Sequence, residues 1–272
     1  MTRYLPFIIV VFVLLLVPAS LSAQNKEASE SLVVDELTKT EKSEIAKDSI
    51  NVNEFARTEK SEIAEKSNNV EFTANALLVS RYLWRGQDYG HAPSFQPGAE
   101  LIWRGFTFGA WSALKIAGEG EPELDFYISK EVGKFTIALW DYWSYDKLMR
   151  TQYFDYNSAT TSHMFEGQII YSTGERNQFN LMLSSLFFGA DPTKSLYGEV
   201  EYVREFGKNE IALVAGYQLK GEYYAQNSGF VNIGCSFLRY LWDFGKYSTF
   251  ISFSLTANPA LKKTFFAVAV GF

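Results

Sequence analysis

The chain has 272 residues, of which 47% are hydrophobic and 17% aromatic, with a formal net charge of −6. This charge excludes the broad basic surface that recruits nucleic acid, so no nucleic-acid partner is expected. One cysteine and two histidines exclude a disulfide framework and a multi-cysteine metal site, and we expect neither a cofactor nor a metal. The apolar residues are interleaved with polar ones, which favours β-strands over transmembrane helices.

The N-terminus has the pattern of a signal peptide. Arg3 precedes an almost wholly apolar run from Leu5 to Val17, and small residues lead up to Ala23. The pattern predicts a signal peptide over residues 1–23, with cleavage after Ala23. The alternative is a single anchoring helix, but about thirteen apolar residues fall short of the roughly 20 that a spanning helix needs.

Residues 24–70 form a low-complexity charged leader. Within it, Thr40–Ala46 recurs as Thr58–Ala64, eighteen positions later. Too few apolar positions support packing, so we expect a disordered or partly helical segment in the periplasm. A plug or a helix that binds a periplasmic partner is the alternative.

From residue 71 to 272 the pattern predicts a transmembrane antiparallel β-barrel, an all-β fold. Segments of about ten residues alternate between two faces and are separated by turn residues, which is the signature of an outer-membrane barrel. A soluble β-sandwich also alternates, but here the second face carries Glu, Asp, Gln, Ser and Gly, which favours an inverted barrel with polar residues inside. The predicted strands number about twelve and cover residues 72–84, 95–103, 106–116, 123–132, 135–145, 164–172, 179–188, 196–206, 211–220, 230–241, 248–256 and 264–272.

The connections between these segments alternate in length. The odd-numbered ones, such as residues 86–94 and 146–163, are long, and the even-numbered ones, such as Arg104-Gly105, are short. Outer-membrane barrels have long extracellular loops and short periplasmic turns. The alternation therefore predicts a chain that enters from the periplasm and resides in the outer membrane of a Gram-negative cell.

Because the strands alternate between an apolar and a polar face, we predict that the side chains of the polar face line the lumen. Charge on the lipid-facing wall costs about 2–4 kcal/mol for Arg or Lys at the midplane, so these groups should face water or each other. They either line an aqueous pore or pair into an interior that blocks flow, and twelve strands do not decide between the two. The pore-lining candidates are Arg81, Arg85, Glu100, Arg104, Glu123, Asp125, Glu166, Glu199, Glu201, Gln218 and Lys220.

Aromatic residues near the predicted strand ends suggest membrane-interface girdles. Such girdles imply contact with outer-membrane lipid and lipopolysaccharide. The chain ends at Phe272, which looks like the C-terminal signal read by barrel-insertion machinery. The predicted interface aromatics are Trp84, Trp103, Trp140, Trp143, Trp242 and Tyr247.

Three motifs resemble the TorF-type porins. They are Ser80-Arg81-Tyr82-Leu83-Trp84-Arg85-Gly86-Gln87, Pro93-Ser94-Phe95-Gln96-Pro97-Gly98 and Phe108-Gly109-Ala110-Trp111. The specific match covers about residues 75 to 115, and Arg81 stands where the family usually has Asp. The resemblance implies outer-membrane insertion and passage of solutes.

The sequence thus predicts a porin-like protein for passive diffusion of small hydrophilic solutes, and not an enzyme. One alternative is a non-conducting structural or ligand-binding barrel. A weaker one is a lipid-modifying enzyme that uses Ser162, His163 and Glu166.

Overall fold

The computed structural model describes residues 69–90, 92–118, 121–145, 152–174 and 177–272. The predicted signal peptide and almost all of the charged leader lie outside the described residues. The described ranges contain strands and no helix that is long and apolar enough to cross a membrane. The strands are β1 (Glu71–Val79), β2 (Leu83–Trp84), β3 (Gln87–Asp88), β4 (Ser94–Trp103), β5 (Phe106–Lys115), β6 (Glu123–Val132), β7 (Phe135–Ser144), β8 (His163–Ser172), β9 (Asn177–Gly189), β10 (Leu196–Phe206), β11 (Asn209–Lys220), β12 (Gly229–Phe244), β13 (Tyr247–Asn258) and β14 (Lys263–Gly271).

Twelve of these strands form one closed antiparallel barrel, which confirms the predicted fold class. Each strand from β4 to β14 pairs with its sequence neighbour, and β1 pairs with both β4 and β14. The remaining two strands, β2 and β3, pair only with each other. Closure leaves no unpaired sheet edge, which is a requirement for a sheet that is surrounded by lipid.

The outer wall of the barrel is apolar. Successive side chains of a strand point to opposite faces, and along each barrel strand the large hydrophobic residues alternate with positions on the inner face. Phe108, Leu139, Leu183, Val200 and Leu255 are all 43–47% exposed on the outside. A water-soluble barrel would bury such a continuous apolar surface, so the wall has the inside-out polarity that the alternation predicted.

The two ends of the barrel differ in the length of their connections. Five short connections, such as Arg104-Gly105 between β4 and β5, lie at what we call the turn end. Six connections lie at the loop end and most of them are longer, such as residues 221–228 between β11 and β12; the shortest, residues 259–262, has the same four residues as the β8–β9 connection. This is the predicted alternation of long and short connections.

The first predicted strand is the main difference from the sequence analysis. The wall strand β1 ends at Val79, whereas the alternating pattern had been extended to Trp84. Beyond Ser80, the chain leaves the wall and forms the separate hairpin β2–β3. The pattern continued because Leu83 and Trp84 are apolar, but both are buried inside the barrel rather than exposed on its wall.

Candidate functional site in the lumen

The first loop folds into the barrel as a short hairpin, residues 82–89, which we call the first-loop hairpin. Its two-residue turn is Arg85-Gly86, with φ angles of 47° and 76°. Positive φ at both positions is the type I′ geometry that suits the twist of a hairpin. A Cβ at Gly86 would lie 1.9 Å from the carbonyl oxygen of Val231, so the hairpin tip is pressed against the main chain of β12.

Arg85, at the hairpin tip, forms an ion pair inside the barrel. Its Nη1 and Nη2 donate to the two carboxylate oxygens of Glu166 over 2.5 and 3.1 Å, and Nη1 also donates to the Tyr224 hydroxyl over 2.5 Å. The guanidinium lies 4.6 Å from the Trp84 ring and 4.4 Å from the Tyr197 ring. Such a planar, bidentate and stacked site suits arginine and does not suit lysine.

The carboxylate of Glu166 is held on its other side by two neighbours. Tyr142 donates its hydroxyl to Oε2 over 2.8 Å, and Gln168 donates Nε2 to the same oxygen over 2.7 Å. The side chains of Arg85 and Glu166 are 1% and 0% exposed. Burial of two charges is costly unless their hydrogen-bonding capacity is filled, and this network fills that of the carboxylate.

Aromatic side chains pack around the hairpin and fill the loop end of the lumen. They come from the hairpin, from the fifth loop (residues 221–228) and from the inner faces of β5, β7 and β10. Neighbouring ring centroids lie 5–6 Å apart, mostly in the tilted and edge-on pairs that aromatic quadrupoles favour, and Trp140 stacks on Tyr142. This aromatic layer consists of Tyr82, Trp84, Tyr89, Trp111, Trp140, Tyr142, Tyr197, Tyr223 and Tyr224.

Gln218, on the inner face of β11, fixes the fifth loop. Its Oε1 accepts from the main-chain N–H groups of Tyr224 and Ala225 over 2.8 and 3.2 Å. Its Nε2 donates to the carbonyl oxygens of Gly221, Ala225 and Asn227 over 2.6–3.2 Å. One side chain therefore holds the loop in the conformation that brings Tyr224 to Arg85.

The hydroxyls of the fifth loop are buried and stay uncharged at neutral pH. Burial raises the pKa of Tyr223 to about 12, and it also raises the pKa of Tyr224. Tyr89 donates its hydroxyl to that of Tyr223 over 3.2 Å, and Gln87 donates Nε2 to the Tyr223 carbonyl oxygen over 3.0 Å. The fifth loop and the first-loop hairpin are thus joined by neutral hydrogen bonds beside the charged pair.

A small cavity of about 50 Å³ lies between the hairpin tip and the inner faces of β10–β13. Its lining combines apolar and polar groups of the wall with the hairpin residues Leu83, Arg85 and Gly86. The polar wall residues are Glu201, Asn232, Ser236, Ser254 and Thr256.

Most of the predicted pore-lining acids lie on the inner wall. Glu100 accepts from Thr73 over 3.3 Å and from the Tyr127 hydroxyl, and Glu199 accepts from Asn232 over 3.0 Å. Asn180 donates to Glu201 over 2.9 Å. Glu123 and Asp125 lie on the inner face of β6, near Tyr82 of the hairpin.

The predicted basic residues of the lumen are placed differently. Arg104 is not a lumen residue: it is exposed in the β4–β5 turn, with its guanidinium 5.2 Å from the Trp103 ring. Lys220 is exposed at the loop end of β11. Arg81 lies at the rim, where it pairs with Asp88, and Arg85 belongs to the inserted hairpin rather than to a wall strand. The prediction treated the first loop as a continuation of the wall, and the chain turns inward instead.

The predicted interface aromatics fall into two groups. Trp84 and Trp140 are each 4% exposed inside the barrel, so the prediction that they face lipid is wrong. Trp143 points outward but is covered by Tyr153 of the connection between β7 and β8, with ring centroids 5.0 Å apart. The residues Trp103, Trp242 and Tyr247 lie at the turn end of the outer wall, as predicted.

His163 and Glu166 lie on opposite faces of β8. The lipid-modifying enzyme considered in the sequence analysis would need these two side chains together, and the structure separates them. His163 points outward, where Asp141 Oδ1 lies 2.7 Å from its Nδ1 and the Tyr153 carbonyl oxygen is bonded to its Nε2. Its ring stacks on Tyr156, with centroids 4.6 Å apart. Sequence analysis had not identified this outer-wall cluster, although the outward parity of Asp141 between Leu139 and Trp143 was a usable signal.

The fold and the lumen together define a closed twelve-stranded β-barrel with an apolar outer wall, the architecture of outer-membrane barrel proteins. The chain belongs to the Gcw_chp family, described as bacterial proteins of unknown function, whose model matches residues 63–243. Neither a curated protein nor a solved structure matches the chain. The matched residues include the first-loop hairpin and every wall strand from β1 to nearly the end of β12.

Proposed function

We propose that this protein is an outer-membrane, porin-like barrel that lets small hydrophilic solutes diffuse through its lumen. The observation that carries the proposal is the inverted polarity of a closed barrel. The outer wall is apolar, and the inner wall carries carboxylates, amides and hydroxyls beside buried apolar side chains such as Leu77, Leu238 and Phe250. A wall of this kind is stable in lipid and keeps water inside. The resemblance of residues 75–115 to TorF-type porins supports the same function.

The first-loop hairpin acts as the gate of this pathway. Its two strands pair with each other and not with the wall, so the hairpin can leave the lumen without breaking the barrel ladder. The Arg85–Glu166 pair and the contacts with the fifth loop hold it in the closed position. Passage of solutes therefore requires these contacts to open.

A non-conducting ligand-binding barrel is the second candidate. The specific observation in its favour is the aromatic layer, because tightly packed rings fill the loop end of the lumen around a fully buried ion pair. In this alternative the hairpin is a permanent plug. A catalytic role is not proposed, since His163 and Glu166 diverge across the sheet.

Single-channel recording in planar bilayers tests the proposal. The purified full-length protein is compared with a variant in which residues 82–89 are replaced by a short Gly-Ser linker. A matched control carries the same linker in place of residues 259–262, an exposed loop away from the hairpin. Heat-modifiable gel migration shows that each variant is a folded barrel.

We expect brief, rare conductance steps from the natural protein and from the control, and long-lived larger steps from the hairpin variant. A folded hairpin variant that gives no steps would contradict the porin function and support the ligand-binding barrel. In that case, the expected partner of the charged leader would be sought by cross-linking in the periplasm.

A further inference from the structure

The cavity at the tip of the first-loop hairpin exists because the wall beside it carries small inward residues. Ala212, Ser236 and Ser254 lie side by side across β11, β12 and β13, paired in register. Gly234, the next inward position of β12, adds no side chain. Protein interiors have few voids larger than a water molecule. This cavity of about 50 Å³ has room for about four water-sized groups, at about 10–15 Å³ each.

Two side chains that line the cavity have a polar atom without a hydrogen-bond partner in the part of the chain that the structure describes. The atoms are Nε of Arg85 and Oγ of Ser254. Arg85 is 3% exposed and Ser254 is 4% exposed, so neither faces bulk water. Buried polar groups are normally bonded to the protein or to an ordered molecule. A ligand held between these two residues would satisfy both atoms.

The charged groups of the lining are already engaged within the protein. Glu166 binds the Arg85 guanidinium bidentately, and Asn180 donates to Glu201 over 2.9 Å. A charged ligand would meet a group of its own sign in either case, since Arg85 repels a cation and Glu201 repels an anion. The lining therefore favours a neutral ligand that forms hydrogen bonds.

The remaining groups define the shape of that ligand. Leu83, Ala212 and Val214 give the cavity an apolar side that suits carbon atoms. The Nε–H group of Arg85 only donates, whereas a ligand hydroxyl can accept from it and also donate to an oxygen such as Ser254 Oγ. Two hydroxyls on adjacent carbon atoms make four heavy atoms, which matches the available volume.

We propose that the cavity binds a small neutral diol, or the diol end of a longer polyol, between the hairpin tip and the wall. The site deepens the proposed function and rests on it only for the route by which the solute arrives. Leu83, Arg85 and Gly86 form one side of the cavity and β10–β13 form the other, so the site is complete only while the hairpin is in the lumen. A bound diol therefore favours the closed position of the hairpin.

Saturation-transfer NMR with ethylene glycol tests this site on the full-length protein in detergent micelles. Acetate, which also has two carbon and two oxygen atoms but carries a negative charge, is the matched ligand. Ser254→Leu fills the cavity, Ser254→Ala removes only the hydroxyl, and the hairpin variant removes one side of the site. Heat-modifiable gel migration shows that each variant is folded.

Ser252→Ala is the matched control for these substitutions. Ser252 is also an inward residue of β13, is 1% exposed, and has an Oγ without a partner among the described residues. It lies outside the lining of the cavity, so the control separates loss of this site from loss of any buried hydroxyl.

We expect saturable binding of ethylene glycol with a dissociation constant on the order of 1 mM, the weak affinity that four heavy atoms allow. Ser254→Ala should weaken binding about fivefold, and Ser252→Ala should leave it unchanged. Ser254→Leu and the hairpin variant should abolish it. Acetate should bind about tenfold more weakly than ethylene glycol.

A signal that rises linearly with ethylene glycol and does not saturate would mean that the cavity holds only water, and would overturn the proposal. Acetate bound as tightly as the diol would overturn the ligand class, and binding retained by folded Ser254→Leu would overturn the location. The porin function fails separately, because it is read from conductance. Conductance steps without saturable binding would retain the porin and overturn the diol site, and saturable binding without steps would do the reverse.

Discussion

The guanidinium of Arg85 and the carboxylate of Glu166 form a bidentate ion pair across the lumen, although the two residues are separated by 81 positions in the sequence. One partner is on the first-loop hairpin, which does not pair with the wall, and the other is on the wall strand β8. The pair therefore couples the position of the first loop to the barrel itself.

Removal of one partner of this pair should be costly. Glu166→Leu leaves a buried guanidinium without its counter-ion, and we expect the free energy of unfolding to fall by about 3–5 kcal/mol. The double variant Arg85→Met with Glu166→Leu should recover most of that loss, because a packed apolar pair replaces the buried charges. Urea unfolding in lipid vesicles, followed by tryptophan fluorescence, measures both values.

Lys208→Met is the control for that experiment. Lys208 pairs with Asp243 over 3.6 Å on the surface, where both side chains are more than half exposed, and its loss should leave unfolding unchanged. A double variant as unstable as Glu166→Leu alone would show that the ion pair itself, and not the unpaired charge, supplies the stability.

Gln218→Ala should release the fifth loop. The substitution removes the side chain that bonds five main-chain groups of residues 221–227. Even a net loss of about 1 kcal/mol would raise the open population about fivefold, so chymotrypsin should cut after Tyr223 or Tyr224 at least that much faster. Gln178→Ala, at the turn end, should leave the cleavage rate unchanged, and equal rates in the two variants would argue against the clamp.

Gly216→Ala should destabilise the barrel through a steric clash. A Cβ at this position would lie 1.9 Å from the Tyr197 hydroxyl oxygen, and Tyr197 also stacks against Arg85. Displacement of a packed ring costs about 1–3 kcal/mol. Gly229→Ala meets no atom within 4 Å and should be neutral in the same urea titration. If both variants unfold alike, Tyr197 has room that the structure does not show.

The loop of residues 190–195 should loosen in acid. Burial alone would raise the pKa of Asp191, but hydrogen bonds from Thr193 and Ser195 hold it below its usual value. A lowered folded pKa contributes stability that is fully present above the unfolded pKa of about 3.9 and is lost as the pH falls through the folded value. Amide exchange of residues 193 and 195, corrected for its intrinsic pH dependence, should therefore accelerate below about pH 4.

Asp191→Asn should remove this acid response, whereas Glu222→Gln, at an exposed position of the neighbouring fifth loop, should retain it. A response that persists in Asp191→Asn would assign the acid sensitivity to another group.

The wall of the barrel could be predicted from the sequence because a strand with one lipid-facing side has a strict period of two. Ile251, Phe253 and Leu255 alternate with Ser252 and Ser254, and the structure places the first set outside and the second inside. The same parity assigned Glu199 and Glu201 to the lumen.

The first-loop hairpin could not be predicted in this way, because it obeys no lipid constraint. Leu83 and Trp84 are apolar like the residues of β1, so the pattern of a wall strand does not end at Val79. Only the turn dipeptide Arg85-Gly86 indicated that the chain reverses direction there. Trp140 was misplaced for a different reason. Its position near a strand end suggested a membrane-interface girdle. Ile137 and Leu139 point outward, however, and because side chains alternate along the strand, Trp140 points inward.

The barrel closes where β14 pairs with β1. The register joins β1 to β14 at three positions, Leu77 to Val79, against nine between β1 and β4. Two further main-chain bonds, between Ala76 and Phe272 in both directions, depend on the final residue. This β1–β14 pairing has the fewest hydrogen bonds of any strand pair in the wall. We therefore expect these two strands to pair last when the barrel assembles. Loss of residues 269–272 would remove every register position between β1 and β14 and leave the sheet with two unpaired edges.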